Sequence, residues 1–363
     1  MIGKLLLKSK TKRFAVSSKK IKIMARSKKI VVVTGASAGL GRAIVREFAK
    51  RGDDIALIAR GIEGLKGAEK EVEAFGGKAL ILPLDVSDAE AVEQAATEVE
   101  EQLGPIDIWV NNAMISVFSP VKDMSAAEYK RVTEVTYLGQ VYGALSALKR
   151  MRLRNKGCII FVGSALAYRG IPLQSAYCAS KHAIQGFYDS LRTELLHDGL
   201  NIRTCMVQLP AMNTTQFGFV RNKLPFKPRP MGMIFEPEVA ARAVLFVTEH
   251  ERREIFVGIP TVEAIVGNKI VPGFADYQLA RTGYMGQMTK EPEDPGRKDN
   301  LWEPIPGDHG AHGPFKLESH NWSPQLWVTE NRNLLGGFFL FGLAALLFKK
   351  TRQKTKLSHY NKT

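Results

Sequence analysis

From Ile30 to about Gly258 the chain alternates short apolar runs with longer helical stretches, and the apolar runs lack polar alternation. A strand with one face in water alternates apolar and polar side chains; a strand covered on both faces does not. Ile30–Thr34, Asp54–Ala59, Ala79–Pro83, Ile106–Val110, Cys158–Val162, Ile202–Leu209 and Ile255–Val257 therefore read as strands of one parallel sheet. The stretches near 39–51, 61–75, 88–102, 125–150, 175–197 and 237–249 read as helices. Repeated strand–helix units wind a sheet with helices on both faces, so the expected class is α/β, doubly wound, in three αβα layers.

At 363 residues, 45% hydrophobic and 24% charged, the chain can bury a large core. The formal charge of +15 suggests nucleic acid until its location is considered. Eleven lysines and arginines lie between Met1 and Lys29 and six between Lys349 and Thr363, with no acid in either stretch. The body between them is close to neutral, so no nucleic-acid partner is expected. Cys158, Cys178 and Cys205 have neither metal nor disulfide spacing, which suits reduced thiols and a cytoplasmic protein.

Beyond Gly258 the pattern decays, and residues 286–325, rich in Pro, Gly, His and Trp, read as an irregular wrapping segment. Leu334–Phe348 is uncharged for fifteen residues. As a helix it spans roughly 22 Å, short of the ~30 Å hydrocarbon layer. The basic flank after it favours a cytoplasmic C-terminus, which would put the body of a spanning chain on the other side. Two readings stay open: an interfacial helix touching a membrane through residues 334–356, or an apolar helix packed on protein. The expected division is a basic extension over 1–28, with Met24 a candidate true start and a functional basic anchor the alternative, a dinucleotide-binding catalytic domain over 29–260, an extension over 261–333, the apolar helix 334–348 and a basic tail 349–363.

Directly after the first strand stands Thr34-Gly35-Ala36-Ser37-Ala38-Gly39-Leu40-Gly41, and a helix starts at once. Glycines let the chain turn sharply and let a pyrophosphate approach the backbone, where the first N–H groups of the helix receive it. The spacing is Gly-x-x-x-Gly-x-Gly after a Thr. Here the chain resembles the short-chain dehydrogenase/reductase family, whose cofactor motif it matches at every fixed position. The resemblance extends over about residues 29–260 and implies a Rossmann-like sheet. Asp85-Val86 after the third strand resembles the family's adenine contact. Asn111-Asn112-Ala113 resembles the family's Asn-Asn-Ala-Gly, with Met114 in place of the last Gly. Thr214, after the sixth strand, resembles a carboxamide contact, and Ala211 replaces the Gly usual in that loop.

Cofactor choice is read at the tip of the second strand, where an acid meets the ribose of NAD and a cation meets the 2′-phosphate of NADP. No acid stands there, and Arg60 offers a planar donor fork. NADP(H) is therefore expected over NAD(H). The cofactor set is Gly35, Ser37, Gly39, Leu40, Gly41, Arg60, Asp85, Val86, Asn112 and Thr214, joined by Tyr177 and Lys181.

Ser164 ends the fifth strand, and Tyr177-Cys-Ala-Ser-Lys181 opens a helix, with Tyr and Lys on one face. Carbonyl reduction needs a hydride and a proton. A free Tyr has a pKa near 10, which a neighbouring ammonium lowers. Tyr177 is the expected acid/base, tuned by Lys181, with Ser164 hydrogen-bonded to the substrate oxygen. Where the family often has a relay Asn in the helix before the fifth strand, this chain has Thr136, whose hydroxyl could hold the same water.

The loop Thr215–Phe235 is expected to be a mobile apolar lid over a hydrophobic carbonyl or alcohol substrate. Its Arg221, Lys223, Lys227 and Arg229 are candidates to meet an acidic group instead. A homo-oligomer is implied by the family. Two other readings of the fold are a non-catalytic NADP-binding regulator or scaffold, and an epimerase that oxidises transiently.

Overall fold

The computed structural model describes residues 28–333. The basic segment before Lys28, the apolar segment 334–348 and the tail 349–363 lie outside the described residues. Among the described residues no helix is long and apolar enough to cross a membrane.

Seven strands form one parallel sheet: β1 (Ile30–Thr34), β2 (Asp54–Ala59), β3 (Ala79–Pro83), β4 (Ile108–Asn111), β5 (Gly157–Val162), β6 (Ile202–Gln208) and β7 (Glu254–Phe256). Their order is β7-β6-β5-β4-β1-β2-β3, every neighbouring pair parallel. The order reverses direction between β1 and β4, which opens a crevice at the strands' C-terminal ends.

Helices α1 (Gly39–Ala49), α2 (Ile62–Ala74), α3 (Ala89–Gln102), α4 (Ala126–Thr133), α5 (Gly139–Arg154), α6 (Ser175–His197) and α7 (Pro237–Glu249) cover the sheet. One core joins α1, α2 and α7 to one face, through Ile44, Phe48, Leu65 and Val244. The other joins α3, α5 and α6 to the opposite face, through Val99, Ala147, Met151 and Tyr188. This is the doubly wound α/β fold the apolar runs imply. The long helix expected near 125–150 is broken by one π-helical turn, Glu134–Leu138.

The region after Gly258 is more ordered than its sequence pattern suggests. Helices α8 (Ile259–Ile270) and α9 (Pro272–Thr282) follow each other, joined at Val271. A strap from Met285 to Ser323 then runs back across the domain and ends at α10 (Pro324–Glu330).

The loop 215–235 is pinned rather than free. Arg221–Asn222 pairs with Val117–Phe118, Phe226–Pro228 with Met288–Pro292, and Ile234–Phe235 with both Ala211–Met212 and Ser319–His320. Its Phe217, Val220, Leu224 and Ile234 pack with Phe118, Leu173 and Phe315 into a third core. The expected mobile lid is thus corrected: strand pairing and this core hold the segment down.

Candidate active site

A cavity of about 760 Å³ lies along the C-terminal ends of the strands. Its wall takes Gly35 after β1, Arg60 after β2, Asn112 after β4, Ser164 after β5 and Pro210 after β6. Ser37, Gly39, Leu40, Gly41, Asp85, Val86, Tyr177, Lys181 and Thr214 line it as well.

The glycine turn needs its glycines for two reasons. Gly35 and Gly39 have φ of +70° and +57°, in the left-handed region. A Cβ on Gly41 would stand 1.9 Å from the Gly35 carbonyl oxygen and 2.7 Å from Asn112 Nδ2. Asn112 Nδ2 donates to the Thr34 carbonyl at 2.9 Å, and its N–H donates to Thr34 Oγ1 at 2.9 Å. Thr34 and Asn112 therefore set the turn's shape, and a backbone cradle for an anion results.

At the far end of this cradle the strap covers the wall. The Gly39 N–H donates to the Gly310 carbonyl at 2.9 Å. Arg60 Nη2 donates to the Asn300 carbonyl at 2.6 Å and Nη1 to the Trp302 carbonyl at 2.8 Å. Burial lowers the Arg60 pKa from its ordinary value, with Asp85 opposing that effect. Arg131 Nη2 binds the Asp85 carboxylate, and Arg131 Nε reaches the Leu301 carbonyl at 3.0 Å. Against the burial that would raise it, bonds from Arg131 and Ser87 hold the Asp85 carboxyl below the usual range. Arg60 and Asp85 thus stand where the sequence expects them, already engaged by partners the sequence does not reveal.

Ser164 follows β5 and is buried. Its N–H donates to Gln208 Oε1 at 2.6 Å, and its hydroxyl accepts from the Leu166 N–H at 3.1 Å. Gln208 is fully buried and donates from Nε2 to Glu254 Oε1 at 2.7 Å and to Gln185 Oε1 at 3.0 Å. Tyr177 and Lys181 sit in the first two turns of α6. Lys181 Nζ donates to the Val162 carbonyl at 2.7 Å and lies 5.6 Å from the centre of the Tyr177 ring. Burial brings the Lys181 ammonium down to about 7. Burial also pushes the Tyr177 phenol up, against a hydrogen bond with Ser164 that pulls it down. The expected lowering of the phenol by the ammonium is not found: desolvation is the largest influence on both groups, and what lowers the phenol is the Ser164 hydrogen bond.

Thr136 stands apart from the cavity wall. It is fully buried in the π-helical turn, where its hydroxyl donates to the Ile115 carbonyl at 2.9 Å and accepts from the Ile115 N–H at 3.1 Å. Its proton is spent on the Ile115 backbone instead of on a water. The four cations of the loop 215–235 are paired within the protein: Arg221 with Glu128 and Asp299, Lys223 with Glu128, Lys227 with Glu291, and Arg229 with Glu318. They are not free to receive an acidic substrate.

Two groups of wall residues lie outside the sequence-predicted site. Pro260, Ala264, Phe274, Ala275 and Leu279 come from α8 and α9, and Val271 from the junction between them. Asn300, Pro304, Ile305, Gly307 and His309 come from the strap. The composition of 286–325 pointed to wrapping but not to where it would land.

A model of the short chain dehydrogenase family matches residues 29–224. An uncharacterized oxidoreductase of Bacillus subtilis, YxnA, is 29% identical over 292 residues, covering 80% of this chain and 82% of the relative. A bovine 3-ketodihydrosphingosine reductase is 31% identical over 223 residues, covering 59% of this chain and 67% of the relative. Among solved structures, an alcohol dehydrogenase of the archaeon Thermococcus sibiricus complexed with 5-hydroxy-NADP superposes with a TM-score of 0.55 at 28% identity. That match covers 63% of this chain and 96% of the archaeal one.

Proposed function

The chain belongs to the short-chain dehydrogenase family of oxidoreductases, and from that premise we propose that it interconverts a hydrophobic carbonyl compound and its alcohol with NADP(H). The observation that carries the reading is the Ser164, Tyr177 and Lys181 set on one cavity wall, with Lys181 Nζ buried and fixed by the Val162 carbonyl at 2.7 Å.

The cradle of Gly35, Gly39 and Gly41 fits a dinucleotide: the tight turn, in which a Cβ at Gly41 would strike the Gly35 carbonyl, lies directly at the start of α1, where backbone N–H groups receive a pyrophosphate. When bound, the nicotinamide cofactor supplies or accepts the hydride. The protein supplies the rest. In reduction, Tyr177 Oη gives its proton to the substrate oxygen as the hydride arrives at carbon, so carbonyl becomes alcohol. Burial keeps the phenol protonated at neutral pH, which suits a donor. The Ser164 hydroxyl steadies the oxygen as charge develops, and Gln208 fixes the Ser164 backbone. Lys181 Nζ, 5.6 Å from the centre of the Tyr177 ring, is placed to offset phenolate when protonated.

Preference for NADP(H) rests on Arg60 and on the lack of an acid at the tip of β2. Phosphate oxygens would replace neutral carbonyls at Arg60, and a guanidinium–phosphate pair, charged on both sides, is the stronger. The related archaeal dehydrogenase was crystallised with an NADP derivative. A hydrophobic substrate is supported by the apolar wall of α8 and α9, and the bovine relative is named for reducing a keto compound. A cytoplasmic setting accords with three buried free cysteines.

The test is NADPH oxidation, with NADH alongside, against aldehydes and ketones of increasing chain length. Turnover rising with chain length and preferring NADPH supports the proposal. Tight NADPH binding without turnover on any member would favour the non-catalytic regulator.

A further inference from the structure

Where the strap meets the start of α7, three ligating atoms converge. One carboxylate oxygen each of Glu236 and Glu238 and one ring nitrogen of His312 lie within 4.8 Å of one another. His312 Nε2 is 2.8 Å from Glu238 Oε1 and 3.8 Å from Glu236 Oε2. Glu236 is 9% exposed, and its other oxygen, Oε1, accepts from Asn213 Nδ2 at 3.1 Å and from the Ser319 hydroxyl. Oε2 is buried and accepts no hydrogen bond. An unsatisfied buried carboxylate oxygen costs free energy unless something of positive character meets it.

We propose that Glu236, Glu238 and His312 form a zinc-type divalent metal site that fastens the strap to the body of the domain. One imidazole nitrogen and two carboxylate oxygens are a donor set for Zn²⁺ more than for Ca²⁺ or Mg²⁺, which take oxygen almost exclusively. Tetrahedral zinc with bonds of about 2.0–2.2 Å holds its ligand atoms roughly 3.3 Å apart. The observed separations of 2.8 and 3.8 Å bracket that span, so small side-chain shifts suffice. His312 is half-exposed, which leaves a fourth position open to water. The positive end of the α7 dipole opposes a cation here, and two carboxylates offset it.

The site joins segments far apart in sequence. Thr214 and His312 form an isolated backbone bridge. The Gly313 N–H donates to the Asn213 carbonyl at 3.2 Å, and the Phe315 N–H to Asn213 Oδ1 at 3.0 Å. Two residues before His312, the Gly310 carbonyl meets the glycine turn. An ion held by His312 and α7 would therefore fix the strap at the cavity rim. The inference is independent of the reductase reading, because ion binding needs neither substrate nor turnover.

The full chain, stripped with chelator, is titrated with zinc chloride by calorimetry, and Co²⁺ is used as a spectroscopic probe. One zinc per chain with micromolar or tighter affinity is expected, with a tetrahedral Co²⁺ spectrum and protection of the strap from limited proteolysis. His312→Ala, at a half-exposed position, should weaken binding on the order of a hundredfold while the chain stays folded, and Glu238→Gln should weaken it as well. Absence of stoichiometric zinc binding, or binding unchanged in His312→Ala, overturns the site. So does a thermal stabilisation by zinc that is the same in His312→Ala as in the parent, which would place the ion elsewhere.

Discussion

Arg60 Nη2 donates to the carbonyl oxygen of Asn300 at 2.6 Å, which joins the tip of the second strand to a strap that arrives from the far end of the chain. The residue expected to meet a 2′-phosphate is thus a clasp for the strap in this structure.

Replacing Arg60 by Met should therefore act twice. Loss of charge-assisted bonds of about 1.5–3 kcal/mol predicts NADPH binding weaker by roughly 10- to 100-fold. NADH binding should change little. The strap should also loosen, giving faster proteolysis around residues 296–310. Equal losses for NADPH and NADH in a titration followed by fluorescence would remove Arg60 from cofactor selection.

Gly41→Ala should be among the costliest substitutions in the chain. Its Cβ would meet backbone at 1.9 Å, and overpacking of this kind costs about 3 kcal/mol. Gly52→Ala is the control: φ is +74° and nothing lies within 4 Å, so only backbone strain of about 1 kcal/mol is expected. Denaturant unfolding of both variants checks the ranking, and Gly41→Ala should also lose cofactor binding.

Lys181 predicts a pH dependence of stability. The unfolded ammonium titrates near 10.5 and the folded one at about 7. Between those values the unfolded chain holds the extra proton, so stability rises with pH across the window. The desolvation penalty is largest at pH 7 and below and is gone above about 10.5. Lys181→Met should thus gain on the parent by a few kcal/mol more at pH 7 than at pH 10.5. Cofactor-free urea unfolding at both pH values reads this difference, and a pH-independent difference would contradict the buried ammonium.

Gln208→Leu should leave the Ser164 N–H without its buried partner and take one of two bonds from Glu254 Oε1, which keeps the Tyr168 hydroxyl. A loss of about 1–3 kcal/mol in stability is expected, together with a lower kcat. Stability lost with kcat unchanged would make Gln208 a packing residue only.

The sheet was legible because buried parallel strands leave unbroken apolar runs, and the glycine turn because its backbone geometry tolerates few residue types. That Ser164, Tyr177 and Lys181 would meet on one cavity wall was legible from the order of motifs at the strands' C-terminal ends and from the family resemblance. The helices α8 and α9 were not. Their buried anchors are few, Thr261 and Ile265 in α8, while Ile270, Phe274 and Tyr277 are exposed, so no apolar stripe marks a core face. The strap was read as wrapping, but its partners Arg42, Arg60 and Arg131 lie far away in sequence, and such pairings leave no local pattern. The loop cations read as free because Glu128, Asp299, Glu291 and Glu318, which pair with them, are equally distant.

The central claim is that Tyr177 is the proton donor of a reductase, and Tyr177→Phe tests it most directly. With the best carbonyl substrate from the panel, NADPH oxidation should fall by about 10²–10⁴-fold while NADPH binding stays within a few-fold of the parent. Turnover retained in Tyr177→Phe, with binding intact, would contradict the account.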